Sequence, residues 1–286
     1  MSQTPVAAQA RATITGEQFQ ALAELVADRS GLVLAINRQT ELTPSLLARV
    51  DELGLESFAQ YLTLLTTGPL RNDEFQSLLP RLSPSDDSFF GHEQQLGTFE
   101  ASLLPQMLES RRDTRRLRIF CAACGTGRDA YTLAMIIHRT LGVRIMDWCV
   151  EIYGCDLHRQ SIDVAERGVF DADGVQSVPE VMRLRYFSQH EGRYAVSDEI
   201  TQMLGFEAID LRDRAGIGRH GRWDAIVCRD TLGGFDERSR AGILGMFHEV
   251  LADDGVLLVG ETEILPPEQQ AFTPLPDRRL AGYRKA

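Results

Sequence analysis

Residues 117–141, LRIFCAACGTGRDAYTLAMIIHRTL, decide the fold of this chain. The run 117–123 is apolar without alternation, which is typical of a strand buried on both faces of a parallel sheet. Gly125 and Gly127 follow in a short turn, and a helix is expected from about Asp129 to the end of the stretch. Glycines let the backbone approach a ligand closely, so this strand, turn and helix predict the ligand-binding start of an open α/β sheet.

Predicted strands and helices alternate towards the C-terminus, which predicts a doubly wound α/β sheet. A small antiparallel β insert is expected near 186–206, and the tail 272–286 is expected to supply a closing pair of strands. The other predicted strands are 148–157, 206–211, 223–231 and 255–261, and the other predicted helices are 161–168 and 237–251.

The residues before this sheet have the pattern of short amphipathic helices. Thr15 and Gln18 fit a capping box at the start of the first helix, which Gly31 is expected to end. Thr43 followed by Pro44 is expected to start the second helix, because proline is favoured at the first helical position. The remaining predicted helices are a third from Ser57 to Gly68 and a fourth at about 72–79.

Composition then divides the chain into domains. Residues 80–87 have the composition of a linker, and a helix is expected at about 93–110. The predicted parts are a disordered lead-in at 1–12, a helical domain at 13–82, a linker with its connecting helix at 83–114, and the α/β domain at 115–286.

The chain has 286 residues and a net charge of −11. That charge argues against a chain-wide electrostatic grip on nucleic acid or anionic lipid, so neither is expected as a partner. No apolar run reaches the ~18 residues of a membrane-spanning helix, and residues 1–13 lack the basic start and apolar core of a secretion signal. A cytoplasmic protein is therefore expected, and its oligomeric state is left open.

The cysteines predict packing rather than metal or redox chemistry. There are five of them, an odd number, which suggests a reducing compartment. Cys121 and Cys124 form one CxxC pair, but no second pair or suitably spaced histidines complete a zinc site. A redox pair would open a helix, whereas Cys121 closes a predicted strand. No metal is expected.

The glycine turn is followed by an acidic residue, Asp156, at the end of the second predicted strand. A carboxylate there can accept hydrogen bonds from both ribose hydroxyls of a nucleoside. Gly125, Gly127 and Ala130 also match a dinucleotide pattern, but that pattern places its acid about 20 residues on, whereas Asp156 lies 29 residues beyond Gly127. No GK[ST] phosphate loop is present. A tight turn beside a capped strand is the purely structural alternative.

Several segments in the same order resemble the chemotaxis-receptor methyltransferase family, the CheR type. They are GLESFAQYL at 54–62, Phe89-Phe90, IFCAACGTGRDAYTLAM at 119–135, GCDL at 154–157, AERGVF at 165–170, YF at 186–187, IDL at 209–211, CRDTLGGFD at 228–236 and DDGVLLVGETEIL at 253–265. The resemblance implies a helical domain before a class I, Rossmann-like methyltransferase domain, whose β insert can dock on a target protein. It implies S-adenosylmethionine as cofactor, S-adenosylhomocysteine as product, and receptor glutamate side chains as methyl acceptors.

The resemblance also implies which residues bind the cofactor. Each lies at the carboxyl end of a predicted strand, in the turn that follows, or at the start of the next helix. No catalytic residue is assigned. The implied cofactor-binding residues are Ala123, Gly125, Gly127, Asp129, Asp156, Leu157, Asp210, Leu211, Asp230 and Thr231.

The sequence departs from the family pattern close to the expected chemistry. Gly91 stands where the family has arginine, and Gly234 where it has tyrosine. Asp210 and Asp230 stand where the family has asparagines. Losing an arginine removes a cation and its paired donors. His92 is a candidate replacement, although a surface histidine is the simpler interpretation.

The added aspartates allow two opposite expectations. They can attract a sulfonium cation, and they can repel a carboxylate acceptor. The second helix also keeps only Arg49 of an arginine-rich family surface and adds Asp51 and Glu52, which weakens the case for an acidic receptor helix as partner.

Three alternative functions are therefore left open for this chain. Its expected protein partner is a receptor or signalling protein. The first is an active methyltransferase that methylates a protein glutamate carboxylate. The second is a catalytically degenerate module that binds the cofactor or regulates a partner. The third is an S-adenosylmethionine-dependent enzyme with a changed substrate.

Overall fold

The computed structural model describes residues 13–82, 88–265 and 270–286. Two compact units divide the chain. The helical unit extends to Pro84 and includes Gly234–Asp236, and the sheet unit comprises Ser85–Gly233 and Glu237–Ala286. The expected lead-in at 1–12 and residues 83–87 of the expected linker lie outside the described residues.

Four helices form the described part of the helical unit, and its first and third helices start and end as predicted. Thr15 and Gln18 form the capping box, and Gly31 is the left-handed C-terminal cap. Ser57 accepts a hydrogen bond from the amide of Gln60, and Gly68 follows the last helical residue. The helices are α1 (Gly16–Ser30), α2 (Gln39–Glu52), α3 (Phe58–Thr67) and α4 (Arg71–Leu82).

The predicted start of α2 at Thr43-Pro44 is wrong. The helix begins four residues earlier at Gln39, and Pro44 lies inside it. The Thr43 hydroxyl donates to the carbonyl of Gln39 at 2.7 Å. The earlier start lets Leu42 join the buried side of the helix, so burial outweighs the preference of proline for the first turn.

The predicted linker also starts too early, because α4 continues through Pro80 to Leu82. Leu79 and Leu82 are buried, which extends the helix past the proline. The π turn Phe99–Leu103 joins α5 (Glu93–Thr98) to α6 (Leu104–Ser110), so the helix expected at 93–110 is present.

Arg49, the arginine considered for receptor binding, is held inside the helical unit. Its guanidinium donates to both carboxylate oxygens of Glu74, at 3.0 and 2.7 Å. Glu74 is only 5% exposed and also accepts a 2.8 Å hydrogen bond from the Tyr61 hydroxyl. Burial and the Glu74 bond raise the pKa of Tyr61. Arg49 therefore stabilises the packing of α2 against α3 and α4.

The sheet unit is built on seven strands in the order β6-β2-β1-β7-β8-β10-β9. The first five run parallel, and β10 is antiparallel to both of its neighbours. The predicted closing pair of tail strands is thus confirmed. The strands are β1 (Arg116–Ala122), β2 (Cys149–Asp156), β6 (Leu204–Ala208), β7 (Trp223–Cys228), β8 (Leu251–Val259), β9 (Phe272–Pro274) and β10 (Gly282–Lys285).

Helices follow the parallel strands, as the alternation predicted. The helix after β7 ends at Val250, one residue earlier than expected, and β8 begins at Leu251, four residues before the predicted strand 255–261. The helices are α7 (Arg128–Leu141), α8 (Arg159–Arg167), α9 (Glu180–Tyr186), α10 (Asp198–Thr201), α11 (Arg214–Gly218) and α12 (Glu237–Val250).

The β insert is a separate three-stranded antiparallel sheet in the order β3-β5-β4. It is wider than the expected 186–206, because its first strand, β3, is Val169–Asp171. The other two strands are β4 (Phe187–His190) and β5 (Arg193–Val196). The residues from Leu204 onwards leave the insert and pair with β2 in the main sheet. Within the described ranges, no helix is long and apolar enough to cross a membrane.

Candidate functional site

The candidate site lies at the carboxyl ends of the parallel strands. Chain order runs from β1 outwards through β2 to β6 and then returns to the other side of β1 with β7. This reversal between β1 and β7 is the topological switch point, where open α/β sheets bind their ligands. We call the residues that follow these strand ends the ligand edge: Ala123–Gly127, Asp156–His158, Ile209–Leu211, Arg229–Thr231 and Gly260–Glu263.

The turn after β1 is held in left-handed backbone conformations. Ala123, Gly125 and Gly127 have φ values of 53°, 53° and 84°. Such values are easy for glycine and costly for other residues, so the strained residue is Ala123. Gly127 is the residue before α7, and its amide donates to the carbonyl of Cys124 at 2.8 Å.

Two glycines are required because other groups occupy the space of a side chain. A Cβ at Gly127 would lie 2.9 Å from the Phe206 ring and from the Cβ of Ala165. A Cβ at Gly154, in β2, would lie 2.6 Å from the same ring and 2.8 Å from the Cys124 sulfur. The turn is therefore packed closely on β6 and α8, and its backbone forms part of the ligand edge.

Asp156, the last residue of β2, is buried and fixed by the backbone. Oδ2 accepts a hydrogen bond from the amide of Gly125, and Oδ1 accepts one from the amide of His158, both at 2.8 Å. Each carboxylate oxygen has two lone pairs, so each can accept one further hydrogen bond. The geometry thus joins the predicted acid to the predicted turn and leaves it able to accept from two hydroxyls. Leu157 follows it and is partly exposed.

Asp129, in the first turn of α7, forms an ion pair with Arg229, the first residue after β7. Nε of Arg229 donates to Asp129 Oδ2 at 2.8 Å, and Nη2 donates to Oδ1. Nη1 donates to Gln95 Oε1 at 3.3 Å. The side chain of Arg229 is only 5% exposed, so Asp129 balances a nearly buried cation.

Asp210 follows β6 and also has a cationic neighbour. Its Oδ1 accepts from the amide of Arg212 at 2.8 Å, and its Oδ2 accepts from Nη2 of the same arginine at 2.8 Å. Leu211 between them is buried. The acid and the apolar side chain therefore lie at the same edge as Asp156, whose carbonyl accepts from the amide of Ile209 at 2.9 Å.

Asp230, two residues after β7, contacts a histidine. Its Oδ2 lies 3.0 Å from Nε2 of His92. The amide of Asp230 donates to Glu263 Oε2 at 2.8 Å. Its Oδ1 occupies the place that a Cβ of Gly260 would take, 2.0 Å away. The Thr231 hydroxyl donates to the carbonyl of Arg229 at 2.8 Å, which closes the turn.

These residues fit a nucleoside cofactor. A glycine turn free of side chains faces the strand ends, and a fixed carboxylate beside it has acceptor capacity for a ribose diol. Buried Leu211 supplies apolar surface close by. The set contains the groups expected for adenosine recognition, and Asp156, Gly125, Gly127, Asp210 and Leu211 are the residues that would hold it.

Comparison with known proteins gives the family. Residues 86–280 match the family model for the CheR methyltransferase, SAM binding domain, and residues 17–83 match the model for its all-alpha domain. This chain belongs to the CheR methyltransferase family. S-adenosylmethionine is accordingly its cofactor, and the class I methyltransferase fold predicted from the sequence is confirmed.

Named relatives of this CheR-family chain cover most of its length. The chemotaxis protein methyltransferase of Escherichia coli strain K12 is 27% identical over 92% of this chain and 90% of its own length. Chemotaxis protein methyltransferase 2 of Vibrio cholerae is 26% identical over 95% and 94%. Chemotaxis protein methyltransferase 2 of Pseudomonas aeruginosa is 28% identical over 87% of this chain and 87% of its own length. A solved structure, SAM-bound CalS10, an amino pentose methyltransferase from Micromonospora echinaspora, is 16% identical over 59% of this chain and 51% of its own, with a TM-score of 0.33 too low to support any argument.

The departures from the CheR pattern have different surroundings. A Cβ at Gly91 would lie 2.8 Å from the Ser88 hydroxyl, so a larger side chain there requires Ser88 to move. Gly234 belongs to the helical unit, where its carbonyl accepts from the amide of Val33 at 2.7 Å. Asp87, which lies four residues before Gly91, is outside the described residues.

Four of the five cysteines are buried in the sheet unit, and Cys149 is exposed. Burial raises the pKa values of the Cys121 and Cys155 thiols. Cys124 is buried beside Gly154, and its amide donates to the carbonyl of Cys155 at 2.9 Å. In the parts of the chain that the structure describes, no cluster of three or more acidic, cysteine or histidine side chains could hold a metal ion.

Sequence analysis missed three residues of the ligand edge or its support: Arg229, Glu263 and Gln95. Arg229 had a usable signal, since a charged residue directly after an apolar strand marks a functional edge. Glu263 accepts from the amides of Asp230, Gly233 and Gly260, and nothing in the local sequence indicates this. Gln95 donates to the carbonyls of Val259 and Leu280, more than 160 residues away in sequence.

Proposed function

We propose that this CheR-family chain is an active methyltransferase that methylates a glutamate carboxylate of a receptor or signalling protein. Cofactor binding is proposed through the ten residues predicted from the sequence, with Asp156 as the ribose acceptor. The proposed place of action is the cytoplasm, in line with the cysteine content.

The proposal that the acceptor is a carboxylate is supported by the basic side chains that lie beside the aspartates of the ligand edge. Asp129 is paired with Arg229, Asp210 with Arg212, and Asp230 with His92. The sequence alone suggested that these acids could repel a carboxylate. Because an arginine pairs with Asp129 and another with Asp210, the repulsion that these two carboxylates exert at the ligand edge is reduced.

The chemistry needs little from the protein beyond positioning. When bound, S-adenosylmethionine supplies a methyl group on a sulfonium sulfur, which becomes a neutral thioether when the acceptor oxygen forms its bond to that methyl. A glutamate is ionised at neutral pH, so no proton has to be removed from it. The chain's own residues therefore act by fixing the ribose, excluding water and orienting the acceptor.

Calorimetric titration with S-adenosylmethionine and S-adenosylhomocysteine tests the first step. Asp156→Ala is expected to lower the affinity for both ligands by at least about 10-fold, because a buried charged acceptor is removed. The control is Asp163→Ala, which removes an exposed acid of α8 paired with Arg159. Equal affinity of the Asp156→Ala variant and the wild type would remove Asp156 from the site.

Transfer is tested with tritiated S-adenosylmethionine and acceptor proteins or glutamate peptides. Glutamyl methyl esters release methanol in alkali, whereas methyl groups on nitrogen stay bound. Alkali-labile label supports the proposal. Alkali-stable label would indicate a changed substrate, and cofactor binding with no transfer to any acceptor would indicate a degenerate binding module.

A further inference from the structure

The contact between His92 and Asp230 is not explained by the binding of a nucleoside. The two residues are 138 positions apart in sequence and meet at the ligand edge, with Nε2 3.0 Å from Oδ2. The His92 side chain is about a quarter exposed, and that of Asp230 about half. The pair is therefore open to a second ligand.

Both residues adopt left-handed backbone, in which aspartate and histidine are found more often than most other non-glycine residues. His92 has φ 56° and ψ 49°, and Asp230 has φ 52°. Left-handed backbone at a residue other than glycine persists where the surrounding contacts hold it.

The surroundings do enforce the position of Asp230. Glu263 accepts its amide hydrogen, and Gly260 leaves room for its Oδ1. On the other side, the amide of Phe90 donates to the Thr132 hydroxyl at 3.2 Å, which ties the turn that carries His92 to α7. The imidazole is thus held between two anchored backbone turns.

Other basic side chains at the ligand edge donate hydrogen bonds to carboxylates. Arg229 donates to Asp129, and Arg212 donates to Asp210. His92 differs because a histidine ring has two nitrogens on opposite sides. When Nε2 donates to Asp230, Nδ1 can carry a second N–H for another acceptor.

We propose that His92, oriented by Asp230, binds the carboxylate of the methyl acceptor as an imidazolium. This role rests on the proposed function, because it requires a carboxylate acceptor. Nε2–H donates to Asp230 and Nδ1–H donates to the acceptor carboxylate, so the ring joins two carboxylates with its single positive charge. No bond to His92 is made or broken, and His92 is a positioning residue. Binding of the acceptor carboxylate therefore favours the protonated form of His92 over the neutral form.

Two charged side chains, those of Glu263 and Arg229, lie next to Asp230. Glu263 lies on the loop after β8 and contacts the amides of Asp230 and Gly233. Arg229 precedes Asp230 and is committed to Asp129 and Gln95. Substitution of His92 changes none of these contacts directly, so its effect can be assigned to the imidazole.

Two variants separate charge from hydrogen bonding. His92→Gln keeps an N–H donor for Asp230 but carries no charge, and His92→Arg carries a permanent charge. His248→Gln, on α12, is the matched control. Thermal unfolding of each variant shows whether it folds, and binding of S-adenosylhomocysteine shows whether the cofactor site is intact.

The first readout is steady-state methylation of a glutamate peptide, measured as alkali-labile label. His92→Gln is expected to raise KM by about 10- to 100-fold, which corresponds to the loss of one charged hydrogen bond. His92→Arg is expected to stay within about 5-fold of the wild type, since it supplies a charge in the same place. Wild-type kcat/KM is expected to fall as the pH rises through the range in which histidines lose a proton, and the arginine variant is expected not to show that fall.

The second readout needs no turnover. The full chain, saturated with S-adenosylhomocysteine at pH 8, is titrated with the glutamate peptide in two buffers of different ionisation enthalpy. The wild type is expected to take up protons when it binds the peptide, and His92→Gln and His92→Arg are expected to take up none. The corresponding glutamine peptide is expected to bind without proton uptake.

The outcomes distinguish this inference from the proposed function. Alkali-labile methylation by the wild type with unchanged KM in His92→Gln would overturn the role of His92 alone. A rise of kcat/KM with pH, together with an inactive His92→Arg, would mean that His92 is a general base and would also overturn it. Alkali-stable product, or no product, from the wild type would overturn the proposal that the acceptor is a carboxylate. If proton uptake is then also absent, the proposed role of His92 is overturned as well.

Discussion

Single residues at the ligand edge are tied together by one nearly buried cation. Arg229 donates to Asp129 from Nε and Nη2, and its Nη1 reaches Gln95. Gln95 is 2% exposed and donates to two backbone carbonyls. Asp129 therefore has a structural role in addition to its proposed contact with the cofactor.

Removing the charge of Asp129 is expected to destabilise the fold. Asp129→Asn leaves Arg229 buried without a counter-charge, and breaking a buried pair in this way costs about 3 kcal/mol. Urea unfolding at neutral pH measures the change in the free energy of unfolding. Glu109→Gln is the control, because Glu109 and its partner Arg112 are both largely exposed and the loss of their pair is expected to have no measurable effect. Equal stability of the two variants would contradict the structural role.

At the scale of secondary-structure elements, the turn between β1 and α7 depends on the strand two places away in the sheet. The ring of Phe206, on β6, lies against both Gly127 and Gly154. The same ring contacts Tyr131 of α7, with centroids 5.6 Å apart. The position of the glycine turn is therefore determined by packing from β6 and α8 as well as by its own backbone.

Gly127→Ala is expected to lower stability by about 3 kcal/mol, because left-handed backbone and crowding against Phe206 add together. Urea unfolding measures this, and calorimetry is expected to show weaker S-adenosylmethionine binding. Gly245→Ala, in α12, is the matched control, since no atom lies within 4 Å of its added Cβ. That control is expected to gain about 0.5–1 kcal/mol from helix propensity. A tolerated Gly127→Ala would show that the turn adapts easily.

The sequence predicts elements whose signals are local and misses those set by distant partners. The capping box of Thr15, the strand 117–122 and the acid at Asp156 each carry their signal within a few residues, and each is where it was expected. Pro44 was misjudged because burial of Leu42, a tertiary effect, decides the start of α2.

The same distinction applies to the candidate site. The glycine turn and its acid could be predicted, but their mutual hydrogen bond and the pairing of each aspartate could not. Arg229 meets Asp129 across 100 residues of sequence, and His92 meets Asp230 across 138. Such pairs depend on the order of strands in the sheet, which the spacing of motifs does not determine.

For the whole molecule, the pH dependence of stability is expected to depend on two histidines of the sheet unit, the buried His138 and the partly buried His220. Nδ1 of His138 lies 3.1 Å from the Tyr186 hydroxyl, which links α7 to α9. Desolvation lowers the pKa of His138, and desolvation with the nearby Arg219 lowers the pKa of His220. Both side chains are therefore stable in the fold as neutral rings.

The free energy of unfolding is expected to fall as the pH is lowered from about 7.5 to about 5.5. A histidine whose pKa is lower in the folded state binds a proton more readily when unfolded. Its stabilising contribution is complete above the ordinary value of about 6.5 and is lost as the pH falls below it. Urea unfolding across this range measures the slope. The double variant His138→Gln, His220→Gln is expected to have a smaller slope, and an unchanged slope would assign the effect to other groups.

The strand that ends in Asp156 begins with Cys149, an exposed thiol. Strand length places these two residues about 23 Å apart, at opposite ends of the sheet. The other four cysteines are buried, and burial raises the thiol pKa values of Cys121, Cys155 and Cys228, which suppresses their reaction with alkylating reagents. The natural protein can therefore be labelled with one fluorescent dye by maleimide chemistry, at a distance that leaves the cofactor edge unobstructed.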